Sequence, residues 1–131
     1  MSHSVLIGGS VEKIFISENE TIQIASPYYP FNYPNNLNMT WIIVAPPDQK
    51  IRITFHTFES ERNFDYFRAG DGDDIVANEF FLWHGSREAP ELMSAENQIW
   101  LRFTSDGIAT SVGFSLLASC VPWTGEITIY T

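Results

Sequence analysis

Cysteine is nearly absent from this 131-residue chain, which carries only Cys120. A single thiol closes no internal bridge, so the fold must stand on its core rather than on covalent staples. Positive charge is scarce too: seven Lys and Arg against 16 Asp and Glu leave a formal charge of −9. That sign argues against nucleic acid or anionic membrane as partners, and for cationic ligands or metal ions that neutralise gathered carboxylates. No apolar run approaches the ~18 residues a membrane-spanning helix needs. Met1-Ser2-His3-Ser4 is too short and polar for a secretory leader, so a processed form is expected and targeting does not disclose the compartment. Catalytic patterns are missing as well. There is no G-x-S-x-G, P-loop or G-x-G-x-x-G, and His3, His56 and His84 lack zinc-ligand spacing. Glu59 and Glu61, two residues apart on one loop, do not flank a scissile glycosidic bond. No enzyme is expected.

What is present is apolar and aromatic: 44% hydrophobic residues and 15% Phe, Trp and Tyr, enough for one folded domain with a real core. Ile51, Ile53 and Phe55 alternate with Lys50, Arg52 and Thr54, the period of a half-buried strand. Further strands are expected over 65–69, 80–83, 98–103 and 113–118, with two earlier ones between Glu12 and Ile24 about a turn at Glu18-Asn19-Glu20. Turn signals recur at short intervals and no helical periodicity competes, which implies an antiparallel sandwich or barrel. The expected domain spans 5–120. Residues 121–131 form a C-terminal extension, where Glu126–Tyr130 alternates as an added edge strand would. The Asp71-Gly72-Asp73-Asp74 cluster has Val76 and Leu82 where a calcium-binding EF-hand loop needs Gly and Glu, so it reads as a solvated hairpin turn.

The densest signal lies in Ser26-Pro-Tyr-Tyr-Pro-Phe-Asn-Tyr-Pro-Asn-Asn-Leu-Asn-Met-Thr-Trp41. Pro27, Pro30 and Pro34 each remove a backbone donor and fix φ, so the segment is no helix. The interleaved aromatics predict a rigid, packed loop feeding a core strand. Phe55-His-Thr-Phe58-Glu-Ser-Glu61, Asp65-Tyr-Phe67, Phe103-Thr-Ser-Asp106-Gly107 and Gly113-Phe114 follow. Over residues 7 to 119 these motifs resemble the CUB domain, an extracellular module of complement proteases, tolloid-like proteases and spermadhesins. The resemblance implies an all-β, antiparallel jelly-roll-like β-sandwich of two sheets. It also implies two disulfides that this chain cannot make, since their positions hold Ile7, Met39, His84 and a residue near Arg62.

In calcium-binding members one Glu and two Asp converge at one end of the sandwich. Carried over by motif, the resemblance implies Ca2+ ligands Glu61, Asp65 and Asp106. The backbone carbonyl of Ile108 completes the set and Tyr33 hydrogen-bonds behind it; Glu59 is the alternative ligand should the short Glu61–Asp65 loop re-register. The implied function is a calcium-dependent extracellular or ectodomain module. It would engage exposed Lys or Arg of a protein ligand, or act as a calcium-free adhesive or glycan-binding module, with no membrane insertion. Against the metal stands the plain reading that Asp65 and Asp106 cap turns. Asn19-Glu-Thr21 and Asn38-Met-Thr40 are glycosylation sequons, Asn38 the less accessible. Trp41, Trp83 and Trp100 are expected in the core, Trp123 outside it, and Cys120 as a buried thiol.

Overall fold

The computed structural model describes residues 3–7, 11–75 and 77–123, of which 3–7 are described by backbone alone. Its strands are β1 His3–Ile7, β2 Val11–Phe15, β3 Thr21–Ala25, β4 Asn38–Val44, β5 Gln49–Glu59, β6 Tyr66–Asp71, β7 Glu79–Trp83, β8 Leu92–Met93, β9 Gln98–Thr104 and β10 Gly113–Pro122. They form a six-stranded sheet, β1-β2-β4-β9-β6-β7, and a four-stranded sheet, β3-β10-β5-β8. The all-β sandwich expected from the sequence is therefore the fold. One pairing departs from the antiparallel rule: β2 runs parallel to β4, Val11 opposite Thr40. β1 and the two-residue β8 were not anticipated either. An added strand over Glu126–Tyr130 lies outside the described residues.

Alternation decides what each strand buries. Trp41 and Ile43 of β4, Phe67 and Ala69 of β6, and Ile99, Leu101 and Phe103 of β9 face inward from the larger sheet. Ile51, Ile53 and Phe58 of β5 and Phe114, Leu116 and Ala118 of β10 meet them from the smaller one. Phe114 is the hub: its ring lies 5.0 Å from Phe67, 5.2 Å from Phe103 and 5.8 Å from Trp41, edge-on in each case. Such contacts add about 0.5–1.5 kcal/mol beyond area burial. This ring cluster packs a core that has no disulfide to reinforce it, and Met39, at a position where the resemblance expects cysteine, is partly buried against it.

Two glycines are required by space. A Cβ on Gly70 would lie 2.3 Å from the Trp100 ring, and one on Gly113 (φ +84°) would lie 1.9 Å from Ser26 Oγ. Gly113 lets Ser26 tie the proline-rich loop to β10, with Ser26 N–H donating to Phe114 O and Phe114 N–H to Ser26 Oγ, both at 3.0 Å.

The aromatic loop is less packed than its composition suggested. Tyr33 is buried, at 1% exposed, but Tyr28 and Phe31 are 73% and 76% exposed. Its backbone is held instead, Tyr33 N–H by Ser111 O and Asn36 N–H by Asp106 O. Trp41 and Trp100 are buried and Trp123 is exposed, as expected. Trp83 is half-buried, not fully internal: β7 is an edge strand, so its ring packs against the margin of the core on one side and carries the Arg87 guanidinium at 3.8 Å. Cys120 is likewise half-buried and free. Its thiol donates to Ser17 O at 3.4 Å, and burial, then the nearby Glu20 and Glu18, push it above the usual thiol range.

Candidate metal centre

Strand direction brings the acidic motifs of residues 59–65 and 103–107 to one end. β5 stops at Glu59 opposite Gly113, where β10 begins. β9 stops at Thr104 opposite both Asn38 and Tyr66, where β4 and β6 begin. The loops over 26–37, 60–65 and 105–112 therefore share a rim. Among the described residues one group of three metal-competent side chains gathers there: Glu61, Asp65 and Asp106, with ligand oxygens all within 4.8 Å of one another.

Asp65 is the floor. It is fully buried, yet neither oxygen is orphaned: Oδ2 accepts the Tyr33 hydroxyl at 2.5 Å and Oδ1 accepts Asp106 N–H at 2.9 Å. The Tyr33 oxygen in turn accepts Glu61 N–H at 3.1 Å. Tyr33 thus contacts one carboxylate and one backbone amide, where the resemblance implied hydrogen bonds to several carboxylates. Burial and the bond to Asp65 push its phenol well above the usual tyrosine range. Ser60 Oγ, donating to Asp65 O at 2.9 Å, and Asp65 N–H, donating to Glu61 O at 3.0 Å, close the short loop.

Glu61 and Asp106 form the walls, both half-buried. Asp106 Oδ1 accepts Ile108 N–H at 3.2 Å, the turn role the plain reading allowed. Glu61 Oε1 is different: it is shut off from solvent and has no hydrogen-bond partner. Burial, then the charges of Asp106 and Asp65, push the Glu61 carboxyl above its usual range. Three converging carboxylates with an orphaned oxygen suit a hard cation, which takes oxygen ligands and cancels their repulsion. Glu59 is not in the gathered group; it ends β5 opposite Gly113.

Sequence reasoning missed how apolar the rim is. Tyr28, Phe31, Phe64 and Ile108 are 73%, 76%, 59% and 84% exposed on the same three loops. The signal was available for Phe64, an apolar residue inside a polar turn, but not for the two loop aromatics, whose composition argued for packing.

The sequence model of the CUB domain matches residues 13–117. Human neuropilin-2 is 37% identical over 98 residues, which cover 71% of this chain and 10% of that protein. Bone morphogenetic protein 1 of Xenopus laevis is 30% identical over 118 residues, 87% of this chain and 16% of that protein. The chain thus spans a small fraction of the curated relatives it matches. Among solved structures, the full extracellular region of zebrafish Gpr126/Adgrg6 superposes with a TM-score of 0.73 at 24% identity, covering 84% of this chain and 15% of that one. The MASP-1 CUB2 domain bound to Ca2+ gives a TM-score of 0.68 at 20% identity, covering 79% and 96%. At those identities the structures speak to the fold.

Proposed function

The chain belongs to the CUB domain family, and from that premise we propose a non-catalytic, calcium-dependent, extracellular protein-binding module. The observation that carries the proposal is the gathering of Glu61, Asp65 and Asp106, one carboxylate oxygen of each within 4.8 Å of the others, with Glu61 Oε1 shut off from solvent and unpartnered. Calcium, when bound, supplies the positive charge that such a set lacks. Glu61, Asp65 and Asp106 would hold it, with the carbonyl of Ile108 as a further oxygen. Tyr33 keeps Asp65 oriented through its hydroxyl. A relative of known structure, the MASP-1 CUB2 domain, is bound to Ca2+, which supports the reading by likeness.

The partner is a protein that presents Lys or Arg. With the three loops tied together, half-buried Asp106 keeps lone pairs for a charge-assisted hydrogen bond to that cation, while Asp65, fully buried, holds the floor of the site. The net charge of −9 steers basic partners toward the molecule and polyanions away. An extracellular setting fits the sequons: Asn19 stands exposed in the β2–β3 turn and Asn38 exposed at the start of β4. The expected poor access of Asn38 is thus not a matter of burial; its Oδ1 accepts Arg102 Nε–H at 3.0 Å instead.

Calcium titration by calorimetry, with thermal unfolding in calcium and in chelator, tests the proposal. One-site binding and a raised Tm are expected, since a ligand at 100-fold its Kd stabilises the folded state by about 2.7 kcal/mol. Asp106→Ala should lose both. Binding that survives this substitution overturns the assignment. A calcium-independent, carbohydrate-binding reading draws on Trp123, 45% exposed, beside an open cleft of about 520 Å³ with Asp71, Asn97 and Gln98. Sugar-dependent quenching of tryptophan fluorescence in chelator would select it.

A further inference from the structure

Cations in this chain are few, and most are accounted for. Arg52 pairs with Glu91 and Arg68 with Glu79, both at 3.3 Å, and Arg102 is bonded to Asn38. Lys13 and Lys50 lie over the rings of Phe15 and Trp123. Arg87 lies over the ring of Trp83, which leaves Arg62. Among the described residues neither of these two arginines forms an ion pair, although the chain has 16 carboxylates to offer. Both instead line one open cleft of about 530 Å³ together with His84, Ser60, Gly85 and Ser86, and no acidic residue lines it.

The cleft has a rigid floor. Ser60 N–H donates to Gly85 O and Gly85 N–H to Ser60 Oγ, both at 3.0 Å, so the 84–87 turn is clamped to the end of β5. Arg87 is fixed by its stack on Trp83 and by Nε–H donating to His84 O at 3.4 Å. His84 Nδ1 accepts Asn63 N–H at 3.2 Å, which leaves Nε2 as the nitrogen that carries hydrogen. Two guanidinium groups, an imidazole donor and the Ser86 hydroxyl thus share a wall with no acceptor of matching charge. The lining is cationic and rich in donors, the reverse of the carboxylate group that includes the neighbouring Glu61.

We propose that this cleft, built from Arg62, His84, Ser86 and Arg87, is an anion-binding site for a single monoanionic oxyanion, the carboxylate of an acidic side chain on a protein ligand. Guanidinium groups match carboxylates in a two-bond fork. The negative field of the whole molecule and the adjacent Glu61 oppose dianions and polyanions more strongly than a single charge. The site is separate from the calcium centre and shares no residue with it. It occupies positions where the CUB resemblance expects a disulfide, so this chain has a polar cleft where a staple would sit.

The test is an NMR titration of the calcium-loaded and the chelated protein with sodium acetate, methyl sulfate and inorganic phosphate, against chloride at matched ionic strength. Saturable shifts at Arg62, Gly85, Ser86 and Arg87 are expected with acetate in both states. Arg62→Ala and Arg87→Ala should each weaken binding about tenfold or more, given the strength of a charge-assisted bond, and Arg62→Lys should restore part of it. Shifts no larger than chloride produces overturn the proposal, as does binding indifferent to both arginines. Shifts confined to the calcium-loaded state and lost in Asp106→Ala place the anion on the metal and overturn it as well. Phosphate or methyl sulfate binding more tightly than acetate would replace the carboxylate with a tetrahedral ligand and overturn that assignment.

Discussion

Both ends of the sandwich are rich in aspartate, and they behave in opposite ways. At one end Asp71, Asp73 and Asp74 fall within four consecutive residues of a single turn, the densest acidic run in the chain. They do not gather: Asp71 turns its Oδ1 to Ala95 N–H at 2.7 Å, and Asp73 and Asp74 are exposed. At the other end Glu61, Asp65 and Asp106 come from two loops forty residues apart in sequence and place their oxygens within 4.8 Å. Neighbours on one strand or turn point to different sides, whereas loops that cap adjacent strands can aim inward together. Acidic density along a chain is therefore a poor guide to a metal centre, and convergence across strands is a good one.

The largest way to break the contrast is to remove the core that aims the loops. Phe114→Ala takes away the ring that touches both sheets and should cost about 3–5 kcal/mol, seen as a lower denaturant midpoint, with calcium binding lost along with the fold. Asp65→Ala separates the ends more selectively. It strands the Tyr33 hydroxyl and Asp106 N–H, bonds to a charged acceptor, for a loss of about 3 kcal/mol in chelator, and abolishes calcium binding.

Titration sharpens the same contrast. Because the folded-state value of Glu61 is raised, its contribution is full below the ordinary glutamate range and is lost as pH rises through the raised value. In chelator the Tm should fall across that window as pH increases, and Glu61→Gln should flatten the slope. In calcium the trend reverses, since the ion needs deprotonated carboxylates. At the other end Asp71→Ala should cost about 1 kcal/mol through its single amide bond and leave calcium calorimetry unchanged. Asp73→Asn, the smallest effect, should stay within about 0.5 kcal/mol and be silent in calcium.

The division between what could be read from sequence and what could not follows the same physics. Strands β5, β9 and β10 were legible because alternation of apolar side chains is local, and Ile51, Ile53, Leu101 and Phe103 sit where that period puts them. The CUB resemblance carried the expected ligand set onto Glu61, Asp65 and Asp106 through motifs that are each contiguous along the chain. Local pattern failed where burial depends on neighbours. Tyr28 and Phe31 look like core residues but stand in solvent, and Trp83 needed the knowledge that β7 is an edge. β1, β8 and the parallel β2–β4 pairing were invisible, since pairing partners are chosen by register across the sheet rather than by composition.

By itself the sequence determined an all-β class, a core built on rings instead of disulfides, an acidic surface, and the residue types that a calcium ion would need. Only the tertiary structure decided that the oxygens of Glu61, Asp65 and Asp106, which the resemblance expected to converge, lie within 4.8 Å of one another, that Tyr33 bridges Asp65 to the Glu61 amide, and that Arg62 shares a cleft with His84 and Arg87. Periodicity and charge are properties of neighbouring residues along the chain. Convergence of side chains from separate loops exists only after the strands have paired and carried their ends to the same rim.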